Sequence, residues 1–188
     1  MKKNFGPKTW LYPMPVLIVC AYDEHGVPCC MNAAWGGIYD NNQIIISLAD
    51  GHKTTKNIIQ NKAFTVNIAD TSHVVECDYV GIVSGNNIPD KVSISGFTVS
   101  KSSFVNAPII NELPMAIECE LFKFNEDGIC IGNIVNVSAD ESVLADDGLI
   151  DPTKLHTITY DPVRHTYIEL GNTVGHAFSD GKKLTDNE

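Results

Sequence analysis

The sequence predicts a mainly β fold with short helices, a barrel of about eight strands in one domain. Three observations carry this expectation. β-branched runs recur along the whole chain, and turn-forming clusters stand between them. Only two segments carry apolar residues at helical spacing. A doubly wound sheet would instead alternate strands regularly with helices. At 188 residues and 44% hydrophobic, the chain is long and apolar enough to bury a substantial core.

The elements follow in order. "PVLIVCAY" at 15–22 is the first strand, and "DEHG" at 23–26 turns it into "PCCMNAAW" at 28–35, close enough for a hairpin. "DNN" at 40–42 precedes the strand "QIIISLA" at 43–49. "TTKNIIQNK" at 54–62 is a helix with a threonine start and an apolar patch at Ile58 and Ile59. "AFTVNIA" at 63–69 returns to strand. "SHVVECDYVGIVSG" at 72–85 is the second helix, with Val75, Tyr79 and Ile82 at helical spacing before Gly85 stops it. Four strands complete the series: "VSISGFTVS" at 92–100, "MAIECELFKF" at 115–124, "ICIGNIVNVSA" at 129–139 and "HTYIELG" at 165–171. The turn "NEDG" at 125–128 makes a hairpin of the second and third of these. The domain spans 1–178, and the tail at 179–188 is expected to fray.

A net charge of -10 argues against nucleic acid or an anionic membrane as partner, since both need clustered Lys and Arg. It leaves room for a small anion held by a few local donors. Six cysteines form no C-x-x-C pair, and most lie in apolar runs, where a thiol is a small hydrophobe. Adjacent Cys29 and Cys30 would point to opposite faces of a strand. No histidine pairs with a cysteine at zinc spacing, so no metal is expected. Lys2 and Lys3 could open a secretory leader, but Pro7, Pro13 and Pro15 interrupt it and the apolar stretch Val16–Ala21 is short. No run approaches a membrane span, and a cytoplasmic protein is expected.

Residues 43–69 read as strand, helix, strand. The first turn of a helix leaves backbone N–H groups unpaired at the positive end of the dipole, which suits an anion. His52, Lys53, Thr54 and Thr55 stand at that end, Asn57 can point back from the next turn, and Gly51 frees the approach. Thr54 or Thr55 could equally be the N-cap. A lysine there is electrostatically misplaced unless an anion offsets it. Just before this unit, "MNAAWGG" at 31–37 sets small residues around Trp35. A ligand with a phosphate and a flat ring would meet the helix start with one end and this strand with the other. Alternatively, Ala33 and Ala34 pack under the barrel and Trp35 plugs its end.

"YPMPVLIVCAYD", "MNAAWGG", "HKTTKNI", "AFTVNI", "DYVGIVSG" and "GLIDPTKLHTITYD", closing on "YIELGNTVGHAF", together resemble the flavin reductase-like family, in particular its flavoredoxin branch. The resemblance runs from about Lys8 to Phe178 and rests on the ordered set. It implies an FMN-binding split β-barrel, commonly a homodimer with flavin near the interface. It further implies that Asn32, Ala33, Ala34 and Trp35 line the isoalloxazine and ribityl chain, with Ser47 and Leu48 alongside through their backbone. Lys53, Thr54 and Asn57 would take the phosphate, and the loop bearing Ser84, Gly85 and Lys91 would close over the cofactor. Two departures stand out: Asn32-Ala33 where many members start the strand with Ser or Thr, and "DNNQ" where many carry Pro-Pro. His165, Tyr167 and His176 read first as packing residues.

The function implied is that of an FMN-dependent oxidoreductase, taking hydride from NAD(P)H and passing electrons to a small-molecule or protein acceptor. The alternative is a flavoredoxin-type electron carrier that does not itself oxidise NAD(P)H; a barrel without cofactor, serving as an interaction module, is a third reading. No G-x-G-x-x-G fingerprint follows a strand, so nicotinamide would dock transiently on the flavin. The flavin performs the chemistry, and no catalytic acid or base is assigned.

Overall fold

The computed structural model describes residues 1–184. Its first strands are β1 (Met14–Pro15), β2 (Leu17–Tyr22), β3 (Pro28–Ala33), β4 (Gly36–Asp40) and β5 (Gln43–Ser47). Helix α1 (Lys53–Asn61), strand β6 (Ala63–Ile68), helix α2 (Val74–Ile82) and helix α3 (Lys91–Ile94) follow. Next come β7 (Val99–Lys101), β8 (Pro108–Ile110), β9 (Met115–Phe124) and β10 (Ile129–Ala139). The chain closes with α4 (Pro152–Leu155), β11 (Ile158–Asp161), β12 (Thr166–Glu169) and a 3-10 turn at Asp180–Leu184. The expected fraying of 179–188 falls, for its last four residues, outside the described residues.

Seven strands form one antiparallel sheet in the order β3-β2-β6-β9-β10-β5-β4. Leu17 and Val19 of β2 pack in one cluster with Ile44 and Ile46 of β5, although β6, β9 and β10 lie between those strands. Only a sheet curled on itself brings such distant strands together, so the inner face closes around a core that includes Phe64, Val66, Cys119 and Cys130. The outer face is covered separately. Ile18, Cys20 and Cys30 pack there against Cys77 and Val80 of α2, Val92 of α3, and Ile110 and Ile158. A small sheet, β1-β11-β12, and the β7–β8 hairpin complete this layer. The buried Glu118 carboxyl accepts from Ser102, from Asn136 at 2.6 Å and from Ser138 at 3.1 Å, tying the hairpin to the sheet.

The mainly β fold and both expected hairpins are present, β2 with β3 and β9 with β10. The sheet does not close on itself: β3 and β4 are its two edges, so the barrel is split between them, as the resemblance implied. Residues 92–100 are not one strand. Lys91–Ile94 is a helical turn, because the Lys91 ammonium donates to the carbonyls of Val80 and Val83, both at 2.7 Å, and Val92 is buried against the outer layer. Those tertiary contacts override the β propensity of Val92 and Ile94. In α2 the buried face carries Cys77 and Val80, whereas Val75 and Ile82 are 77% and 74% exposed. The apolar spacing identified the helix but only partly its buried side. Among the described residues no helix is long and apolar enough to cross a membrane.

Candidate functional site

The N-terminus of α1 is uncapped. His52 holds the N-cap position with extended backbone (φ -71°, ψ 139°) and makes no capping hydrogen bond, and no acidic residue stands in the first turn. Neither threonine takes that role. Thr54 Oγ1 lies 3.3 Å from Cys29 Sγ, and Thr55 Oγ1 is buried without a partner. Asn57 Nδ2 is buried and unpartnered as well. Two orphaned side-chain groups in two turns are unusual, since each costs about 1–3 kcal/mol. The reading of Thr54 or Thr55 as N-cap is therefore corrected: both side chains turn inward from the helix, and the first-turn amides keep their unmet donors and the positive end of the dipole.

Lys53 adds a full charge at this end. Its Nζ lies 3.7 Å from Asp23 Oδ2. Burial opposes ionisation of Asp23, but the amides of Val27 and His25 and the Lys53 ammonium outweigh it and hold the carboxyl below its usual value. A cavity of about 210 Å³ opens beside the helix start, lined among others by Asn32, Lys53, Thr54, Ser84, Gly85 and Lys91. A second, of about 250 Å³, shares Lys53 and Gly85 as walls and adds Asp23, Cys29 and Asn86. Residue 85 must be glycine for the backbone to come this close. A Cβ there would stand 2.6 Å from Cys29 Sγ and 3.4 Å from Lys53 Cβ.

Six of the expected site residues thus meet in one cavity, drawn from β3, α1, the loop after α2 and the first residue of α3. Lys91 is among them, with its ammonium committed to the two α2 carbonyls and its pKa lowered by burial. It anchors the loop rather than offering a free charge. Asn57 is buried within α1 and lines neither cavity. Ala33 packs in the inner core, as the packing alternative expected. Ala34 and the 58% exposed Trp35 face a separate groove of about 400 Å³ with Trp10, Pro13 and Met14, so Trp35 plugs nothing. The backbone of Ser47 and Leu48 is already engaged: Ser47 N–H donates to Trp35 O and Leu48 N–H to Gly128 O, both at 2.8 Å.

The sequence reading missed several participants. Cys29 and Cys30 do point to opposite faces, and Cys29 closes the wall against Thr54. Gly81 lies against Asn32, where a Cβ would come within 2.9 Å of the asparagine Cβ. A glycine inside the apolar helical run 72–85 was the available signal. Asp78 and Tyr167 stand behind Asn32, joined by a hydrogen bond of 2.7 Å. Tyr167 also packs against the outer core, consistent with its reading as a packing residue. His165 bonds Tyr160 at 2.6 Å on the exposed side of the small sheet.

Residues 10–159 match the family described as a flavin reductase like domain. The flavoredoxin of Desulfovibrio vulgaris (Miyazaki F) is 40% identical, with a TM-score of 0.94 over 97% of this chain and 100% of that one. A flavoredoxin from Methanosarcina acetivorans is 25% identical, with a TM-score of 0.88 over 98% of this chain and 99% of that one. A protein of Aeropyrum pernix is 27% identical over 63% of this chain, a match that spans 45% of that relative's length.

Proposed function

The chain belongs to the flavin reductase-like family, and from that premise we propose that it binds FMN and carries electrons from NAD(P)H through the flavin to an acceptor. Free flavin, ferric iron or a redox partner are acceptors of the right chemistry. The observation that carries this reading is the uncapped, lysine-bearing start of α1 opening on a cavity with Asn32, Ser84 and Gly85. Uncapped amides and the Lys53 charge beside the cavity suit a phosphate, so the residues present fit the cofactor.

Bound there, FMN would supply hydride acceptance from a nicotinamide and onward electron delivery, chemistry that side chains lack. The protein's part is to bind and orient. The Lys53 ammonium, already steered by Asp23, would neutralise phosphate charge, and the first-turn amides would donate to its oxygens. Gly85 would let the 84–90 loop close down on the site, held in place by Lys91. No dinucleotide fingerprint is present, so the nicotinamide would visit transiently.

A homodimer in the cytoplasm completes the proposal. β4 is an open edge strand whose Ile38 is 72% exposed, with Tyr39 and Trp35 exposed beside it. A second copy would cover that apolar edge and shield a bound ring, using one patch twice.

The absorption spectrum of the purified protein, followed by anaerobic stopped-flow mixing with NADH and NADPH, tests the reading. Flavin absorbance that bleaches with either nicotinamide is expected. A protein that binds no FMN when supplied with it overturns the proposal. The likeness to the Desulfovibrio vulgaris flavoredoxin favours a second reading, an FMN-binding electron carrier. Flavin that dithionite reduces but neither nicotinamide does would select it.

A further inference from the structure

The hydrogen bonds behind Asn32 have only one possible polarity. The Cys77 carbonyl can only accept, so the Asn32 atom facing it at 3.2 Å is necessarily the amide nitrogen. The Asp78 carboxylate likewise accepts, so the single hydroxyl hydrogen of Tyr167 goes to it, at 2.7 Å. The Tyr167 oxygen is then left to accept the second Asn32 N–H, at 3.4 Å. Burial and the bond to Asp78 push the Tyr167 hydroxyl far above its usual pKa, so it remains a donor to Asp78. Gly81 leaves the space this arrangement needs.

Both Asn32 donors are therefore spent. What remains is Oδ1, which bonds to no described residue, on a side chain lining the cavity with Lys53 and Thr54. We propose that Asp78 and Tyr167 are positioning residues that fix Asn32 as an acceptor-only contact, so that the cavity selects a planar ligand offering it a ring N–H. The inference rests on the FMN reading of the pocket. The oxidised isoalloxazine carries a single ring N–H, in its imide, flanked by carbonyls. A ring presenting an acceptor at that place would set oxygen against oxygen, and a buried polar group without its partner is where recognition becomes selective.

The test compares the dissociation constants of FMN and of FMN methylated at the imide nitrogen, by quenching of flavin fluorescence. The wild-type protein is expected to prefer FMN by about tenfold. Asn32→Ala should abolish the preference. Tyr167→Phe and Asp78→Leu should reduce it to less than about threefold. The first removes the acceptor of one Asn32 N–H, the second frees the Tyr167 hydroxyl to donate to Asn32 Oδ1, and the Cys77 carbonyl holds the other N–H in both. A ratio of two affinities on one preparation cancels any loss of folded protein, so a structural role alone would not move it. The methyl group's bulk would be rejected equally by wild type and Tyr167→Phe. A ratio near one in the wild type, or one unchanged in Tyr167→Phe and Asp78→Leu, overturns the positioning role while leaving the FMN reading intact. Failure of both flavins to bind overturns both.

Discussion

Lys53 is the residue on which phosphate recognition turns. A lysine at a helix N-terminus is unfavourable by itself, and among the described residues only the partly shielded Asp23 pairs with it, at 3.7 Å. A phosphate would offset it far better. Lys53→Ala is therefore expected to weaken FMN about 10- to 100-fold, the worth of a charge-assisted hydrogen bond, while riboflavin, which lacks the phosphate, changes by less than about twofold. Equal losses for both flavins, measured by fluorescence titration, would show that Lys53 does not meet the phosphate. Local residues of this kind were legible in the sequence, because Lys53, Thr54 and the helix start lie within a few positions of one another. Asp78 and Tyr167 were not. They are 89 residues apart in sequence and meet only because α2 and the small sheet share the outer face of the barrel.

At the scale of the element, α1 carries a defect that the proposed ligand would repair. His52 stands at the N-cap and caps nothing. His52→Asp would supply an acceptor for the first-turn amides and a favourable charge for the dipole. The apoprotein is expected to gain about 0.5–2 kcal/mol, seen in urea unfolding, and to lose FMN affinity through repulsion of the phosphate. An aspartate that stabilised the apoprotein and left FMN binding intact would argue against phosphate at this end. The elements themselves were unevenly legible. β2 and β6 are buried along nearly their whole length, and β9 and β10 bury the first halves of theirs, so all four show as apolar runs. β4 was invisible because most of its side chains face solvent, so no core-facing pattern is written in it. α3 was misread as strand because a lysine ammonium bonding two distant carbonyls decides its shape.

For the whole molecule, the split barrel leaves β3 and β4 as edges, and the exposed apolar side chains of β4 mark the proposed contact between copies. Sedimentation is expected to show a dimer, and Ile38→Glu a monomer with unchanged thermal stability of the fold, since Ile38 touches little of its own core. A monomeric wild-type protein would remove the interface. Stability should also fall at alkaline pH. Burial pushes the thiols of Cys77, Cys119 and Cys130 up to about 12, each from a usual value of 9.0. Above pH 9 the unfolded chain releases those protons while the folded one keeps them. Unfolding is therefore favoured as pH rises towards 12, by up to about 1.4 kcal/mol per thiol per pH unit. Urea titrations at pH 8 and pH 10.5 measure this, and Cys119→Ala should flatten the slope; a slope unchanged by that substitution would assign the alkaline loss elsewhere.

By itself the sequence determined that this chain folds mainly as β-strands, that residues 54–62 form a helix whose start suits an anion, and which strands form hairpins. All of these depend on neighbours in the chain: alternation, turn residues and the dipole of one short helix. Only the tertiary structure decided that β3 and β4 are the two open edges, that Ser47 and Leu48 spend their amides inside the protein, and that Asn32 donates to the Cys77 carbonyl and the Tyr167 oxygen. Those outcomes depend on which distant carbonyl or carboxylate each donor finds once the sheet has curled, and no local pattern encodes that pairing.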